Sequence, residues 1–150
     1  MRSLIFMLIL LTLTGCEALM AFQQDATNPI ATADADVEYV RAVQTGDNTW
    51  TFHVTVRHPD TGWEDYADGW DVVLPDGTVI LPDSSSQFTR LLLHPHENEQ
   101  PFTRSQSNIA IPDDVTTVTV RAHDIVDGFG GQEIIVNLLQ TIGDNYEVER

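Results

Sequence analysis

Residues 49–56 read TWTFHVTV. Trp50, Phe52, Val54 and Val56 alternate with Thr49, Thr51, His53 and Thr55, and side chains that alternate with period two stand on opposite faces of a β-strand. One face belongs to a core and the other to solvent. Upstream, Val37 to Val43 forms a second strand, closed by the turn cluster Thr45-Gly46-Asp47-Asn48. Downstream, a long loop from Arg57 to Gly69 leads to a strand that begins at Trp70. Pro75-Asp76-Gly77-Thr78 then turns the chain into a short strand over Val79, Ile80 and Leu81, and another runs from Gln87 to Leu93. After the polar stretch HPHENEQP come a strand from Phe102 to Ile111, a corner at IPDDV, and TTVTVRA, which turns Val118, Val120 and Ala122 inward. Gly128, Gly130 and Gly131 mark the turn before a last strand, EIIVNLL. Seven or eight strands and no helix are predicted.

Short strands at near-regular spacing, a tryptophan entering the third strand and an IPxxV corner before the sixth resemble immunoglobulin or fibronectin type III domains. The resemblance covers Val37 to about Leu139 and implies an all-β, Greek-key β-sandwich over residues 37–141, with 142–150 left as a C-terminal tail. Such a likeness argues fold and carries no activity. HPDTGWEDYADGWDVVLPDGT and LLLHPHENEQPFTRS are also similar to a set of small exported bacterial proteins.

The first sixteen residues, MRSLIFMLILLTLTGC, place an arginine before an apolar run from Leu4 to Leu13. That run suits a signal-peptide core and falls short of the roughly 20 residues a membrane-crossing helix needs. Leu13, Thr14, Gly15 and Cys16 resemble the bacterial lipobox, which implies removal of residues 1–15 and acylation of Cys16 as the new N-terminus. One acyl chain anchors only marginally, and more than one holds firmly. Glu17 stands where lipoproteins retained in the inner membrane usually carry Asp, so the resemblance implies a cell-envelope protein, lipid-anchored in the outer membrane and facing the periplasm. Residues 16–36, rich in Ala, Thr, Asp and Gln, read as the acylated tether.

Loss of residues 1–15 removes Arg2 and no acid, leaving 6 basic residues against 23 acidic ones and a formal charge of −17; there is no lysine. A field of that sign repels phosphate backbones and anionic headgroups, so nucleic acid is excluded as an expected partner and the acyl chains must supply the membrane contact. Acidic, lysine-free surfaces also suit high ionic strength, where salt screens self-repulsion. The single cysteine leaves no disulfide, thiol chemistry or lysine Schiff base to invoke.

In a Greek-key sandwich His58, His94, His96 and His123 would gather at one loop end, among Glu64, Asp65, Asp68, Glu97, Glu99, Asp124 and Asp127. Imidazoles among carboxylates are what Zn²⁺ or Cu²⁺ takes, so those four histidines form a candidate metal set. Pro95 stiffens the His94–His96 pair. In WEDYADGW, Trp63 and Tyr66 beside carboxylates offer a candidate ligand surface, with Glu97 and Asp124 as polar partners. The competing expectation is that both rings cap the end of the sandwich. Ser84, Ser85 and Ser86 lack a nucleophile-elbow motif. These features point to a non-catalytic accessory domain that binds an envelope protein or glycan through its loop end. The alternative is a Zn or Cu module, or a metalloenzyme built on it.

Overall fold

The computed structural model describes residues 34–150, and the signal peptide, Cys16 and most of the tether lie outside the described residues. The strands are β1 (Asp36–Gly46), β2 (Thr49–Arg57), β3 (Ala67–Val73), β4 (Arg90–Leu91), β5 (Phe102–Ala110), β6 (Thr117–Asp124), β7 (Ile134–Asn137), β8 (Ile142–Gly143) and β9 (Tyr146–Glu149). They form two sheets, ordered β5-β2-β1-β9-β8 and β4-β3-β6-β7, and no helix occurs among the described residues. The β1–β2 hairpin reverses at Asp47-Asn48, where Asn48 takes a φ of 56°, a left-handed conformation that Asn tolerates better than most residues.

The alternation of β2 is realised in full. Trp50, Phe52, Val54 and Val56 are buried while Thr49, Thr51, His53 and Thr55 are half-exposed. From the other sheet Val118, Val120 and Ala122 are likewise buried, and Trp70 of β3 is completely enclosed. Enclosing each large apolar side chain contributes about 1.5–3 kcal/mol, so these facing rows are the main source of stability in a domain that has no disulfide.

Three expectations are corrected. No strand forms over Val79, Ile80 and Leu81, where Val79 makes only an isolated bridge to Val73. The strand expected over Gln87 to Leu93 shrinks to Arg90–Leu91. The two segments meet at Thr89, whose hydroxyl accepts the Val72 amide (2.8 Å) and donates to the Ile80 carbonyl (2.6 Å), while the Ile80 amide donates to the Val72 carbonyl (3.0 Å). Finally, the expected tail over 142–150 supplies β8 and β9. β9 lies parallel to β1, pairing Val40 with Tyr146 and Ala42 with Val148, and it buries both apolar residues. Asn145, at φ 60°, makes the turn, and the Tyr146 hydroxyl donates to Gln140 Oε1 at 2.9 Å. Tyr-Glu-Val-Glu does alternate, but two apolar residues are too short a signal to separate from a loop.

Two outcomes follow from this packing. Deleting residues 142–150 strips β1 of one of its two neighbours and should lower the urea midpoint sharply, whereas a true tail would leave it unchanged. Phe52→Ala should cost about 3–5 kcal/mol, read from denaturant unfolding by circular dichroism.

Candidate functional site

The core rows of β2 and β6 do not stop where the strands do. Counting on by two from Val56 reaches His58, and counting on from Ala122 reaches Asp124; both are buried polar residues at the same end of the sandwich. Asp60 sits between the loops there, with its side chain fully enclosed. Its Oδ1 accepts from His58 Nδ1 (2.7 Å) and from the Ala67 amide (3.1 Å), while its Oδ2 accepts the His96 amide (2.6 Å). A buried carboxylate is tolerable only when its lone pairs are engaged in this way. Asp60 thereby joins the residue after β2, the first residue of β3 and the segment ahead of β5.

His58 is fixed from both sides, because its backbone amide also donates to Gln100 Oε1 (3.0 Å) and its Nε2 lies 3.5 Å from Asp65 Oδ1. Asp124, fully buried, uses Oδ1 to accept the amides of Val126 (2.9 Å) and Asp127 (2.6 Å). Its Oδ2 has no hydrogen-bond partner. The ligand atoms of His58, Asp65 and Asp124 lie within 4.8 Å of one another, as do those of Asp34, Asp124 and Asp127. The Asp127 carboxyl titrates above its ordinary range, chiefly through burial and then through the charges of Asp124, Asp34 and Asp65.

The four expected histidine ligands do not converge on one point. Among the described residues, none of His94, His96 and His123 joins His58 in a group of three close donors. His123 instead donates or accepts through Nδ1 at Asp68 Oδ1 (2.6 Å), and its ring packs edge-on against Phe129 and tilted against Phe88. His96 stacks on Phe102, with ring centroids 3.8 Å apart and planes 12° from parallel, and neither ring nitrogen has a hydrogen-bond partner. It serves as a flat apolar plate. His94 is exposed and meets His96 edge-on at 4.5 Å. The reason is position: His123 lies on the half-exposed face of β6, next to Asp68, while His94 and His96 belong to the segment ahead of β5, where His96 is buried against Phe102.

Trp63 does not cap the sandwich. It is 66% exposed, resting edge-on against Tyr66 with centroids 5.8 Å apart. With His94, Pro95, His96, Glu97 and Glu99 it lines a shallow depression of about 480 Å³. Glu97 and Trp63 line the same depression, while Asp124 belongs to the buried cluster. Glu99 is held below the ordinary carboxylate range by the Arg104 guanidinium, which donates to it at 3.0 Å. A wider depression, about 670 Å³, is lined by Gln132, Glu133, Gln140 and Asp144 and holds none of these histidines. Asp60 and Asp34 were not singled out from the sequence. Asp60 stands two residues past His58 and could have been found by continuing the same row; for Asp34 no sequence signal exists.

No protein-family model matches the chain, and no solved structure does. A protein of Halomicrobium mukohataei, whose name describes it as a candidate lipoprotein, is 34% identical over 123 residues, which make up 82% of this chain. The chain spans 57% of that relative's length.

Burial holds the His96 imidazole below its ordinary range, helped by the charges of Arg104 and His94 and opposed by those of Asp60 and Glu99. The unfolded chain protonates at the usual value near 6.5, before the folded one does. His96 therefore adds stability that is fully present above about pH 6.5 and is lost as pH falls through the depressed folded value. Thermal midpoints measured between about pH 7 and 5 should decline less steeply in His96→Phe than in the parent.

Proposed function

We propose that the chain is a lipid-anchored accessory domain of the cell envelope, a sandwich of the fibronectin type III kind that binds a partner through its loop end without catalysing a reaction. The anchoring rests on Leu13-Thr14-Gly15-Cys16 behind a ten-residue apolar core, and the lipoprotein name of the relative supports it. Strand order supports the fold subtype: β5-β2-β1 stands opposite β4-β3-β6-β7, the arrangement in which strand pairs cross between sheets in a Greek key. The chain leaves the first sheet after β2 and returns to pair with it at β5.

The observation that carries the binding role is Trp63. An indole 66% exposed, braced by Tyr66 and facing Glu97 across an open depression, is apolar surface that folding did not use. Exposed aromatic faces beside carboxylates suit the hydroxyl-studded, C–H-bearing faces of sugars, and an envelope glycan is therefore the favoured class of ligand. An anionic surface keeps the loop end away from phosphate-rich polymers.

Two measurements test the two halves separately. Cys16→Ala should move the protein from the membrane to the soluble fraction and remove the acyl mass from its N-terminal peptide. Titration with soluble cell-envelope oligosaccharides should quench or shift tryptophan fluorescence, and Trp63→Ala should abolish that change without altering the unfolding midpoint. No response to the oligosaccharides, or an equal response in the variant, removes the glycan reading and leaves the anchoring untouched.

A further inference from the structure

Four carboxylates and one imidazole crowd the end of the sandwich, and no ion pair among the described residues brings an arginine to Asp34, Asp65, Asp124 or Asp127. The chain contains no lysine to do so. Yet the central member, Asp124, is fully buried with Oδ2 lacking any partner, an arrangement that native interiors avoid unless something else fills it. His58 faces the same group from the other side. Its Nδ1 meets Asp60, whose two oxygens already accept backbone amides, so the carboxylate accepts and Nδ1 carries the hydrogen. In the neutral imidazole this leaves an Nε2 lone pair 3.5 Å from Asp65 Oδ1, an acceptor set against an acceptor.

We propose that His58 Nε2, Asp65 and Asp124 Oδ2 bind one divalent metal ion, with Asp60 orienting His58 and with Asp34 and Asp127 flanking the ion on the far side of Asp124. A cation answers every open feature at once: it takes the imidazole lone pair, satisfies the buried Oδ2 and offsets the mutual repulsion of the acids. The Asp60–His58 pair is the carboxylate–histidine–metal relay, in which the second carboxylate sets tautomer and ring direction. One nitrogen among oxygen donors suits borderline Zn²⁺ or Mn²⁺ and places Zn²⁺ ahead of Mn²⁺, whereas Ca²⁺ and Mg²⁺ favour all-oxygen sites.

The donors come from separate places in the chain. Asp34 lies just ahead of β1, where the backbone at Gly130 packs so closely on its carboxylate that a Cβ there would collide with it. The Gln132 amide fastens the same junction by donating to Asp36 Oδ1 at 2.6 Å. Asp65 belongs to the loop before β3, and Asp124 ends β6. The ion would thus clamp the entrance of the sandwich to both sheets, a role that stands whether or not Trp63 binds a glycan.

The test uses the full chain, purified from membranes in detergent, stripped with EDTA and titrated calorimetrically with ZnCl₂, MnCl₂ and CaCl₂. One equivalent of Zn²⁺ should bind, more tightly than Mn²⁺ and far more tightly than Ca²⁺, and should raise the thermal midpoint. Asp65→Asn, at a half-exposed position that tolerates the change, should weaken Zn²⁺ at least tenfold, as should Asp124→Asn. Asp60→Asn should weaken it roughly 10- to 100-fold with stoichiometry unchanged. His94→Gln and His123→Gln should leave affinity as it was. Absence of a saturable one-to-one Zn²⁺ isotherm overturns the proposal, as does unchanged affinity in Asp65→Asn or loss of binding in His94→Gln.

Discussion

The structure depends on one constraint: two rows of side chains, spaced two residues apart on facing strands, must meet and exclude water. Trp50, Phe52, Val54 and Val56 from one sheet and Trp70, Val118, Val120 and Ala122 from the other are all buried in a single core cluster. Because the rows overrun the apolar residues by one step, the same geometry that builds the core carries His58 and Asp124 into the interior. The chemistry at that end is a by-product of register. A polar residue in a core row must find partners or forfeit stability.

Asp60 is the clearest answer. Its carboxylate gathers two backbone amides and one imidazole from three segments, so a buried charge serves as the fastening point of the loops. His96 illustrates the opposite solution, with an imidazole stacked on Phe102, without hydrogen bonds and held toward its neutral form by burial. Asp71 shows a third: within β3 it accepts the Thr89 amide and pairs with Arg121 at 3.2 Å. Three buried polar groups are thus stabilised by amides, by aromatic stacking and by a guanidinium.

The scarcity of cations shapes the rest. Arg41 lies across the parallel β1–β9 pair, where it meets Glu147 at 3.2 Å and Glu149 at 2.7 Å. Arg57 pairs with Glu38 on the hairpin, and Arg104 holds Glu99 beside the Trp63 depression. Apart from Arg104 at Glu99, these guanidiniums pair along the sheets, and no ion pair among the described residues brings an arginine to Asp34, Asp65, Asp124 or Asp127. With 23 acidic residues against 7 arginines and no lysine, the chain carries a strongly negative formal charge.

Much of the architecture was legible in residues 37–139. Period-two alternation located β2 and β6, runs of β-branched and aromatic residues located β1, β5 and β7, and turn residues marked the reversals between them. The misread pieces had no such signal: β9 holds only two apolar residues, and the segment around Thr89 is fastened to β3 by a hydroxyl. The candidate site was half visible. Composition announced acids and histidines in the loops, but His94, His96 and His123 went elsewhere while Asp60 and Asp34 came in. By itself the sequence determined which faces of the strands turn inward, since alternation is a local property of an extended chain. Only the tertiary structure decided which loop residues meet, since loop ends are placed by sheets whose pairing lies many residues away in the chain.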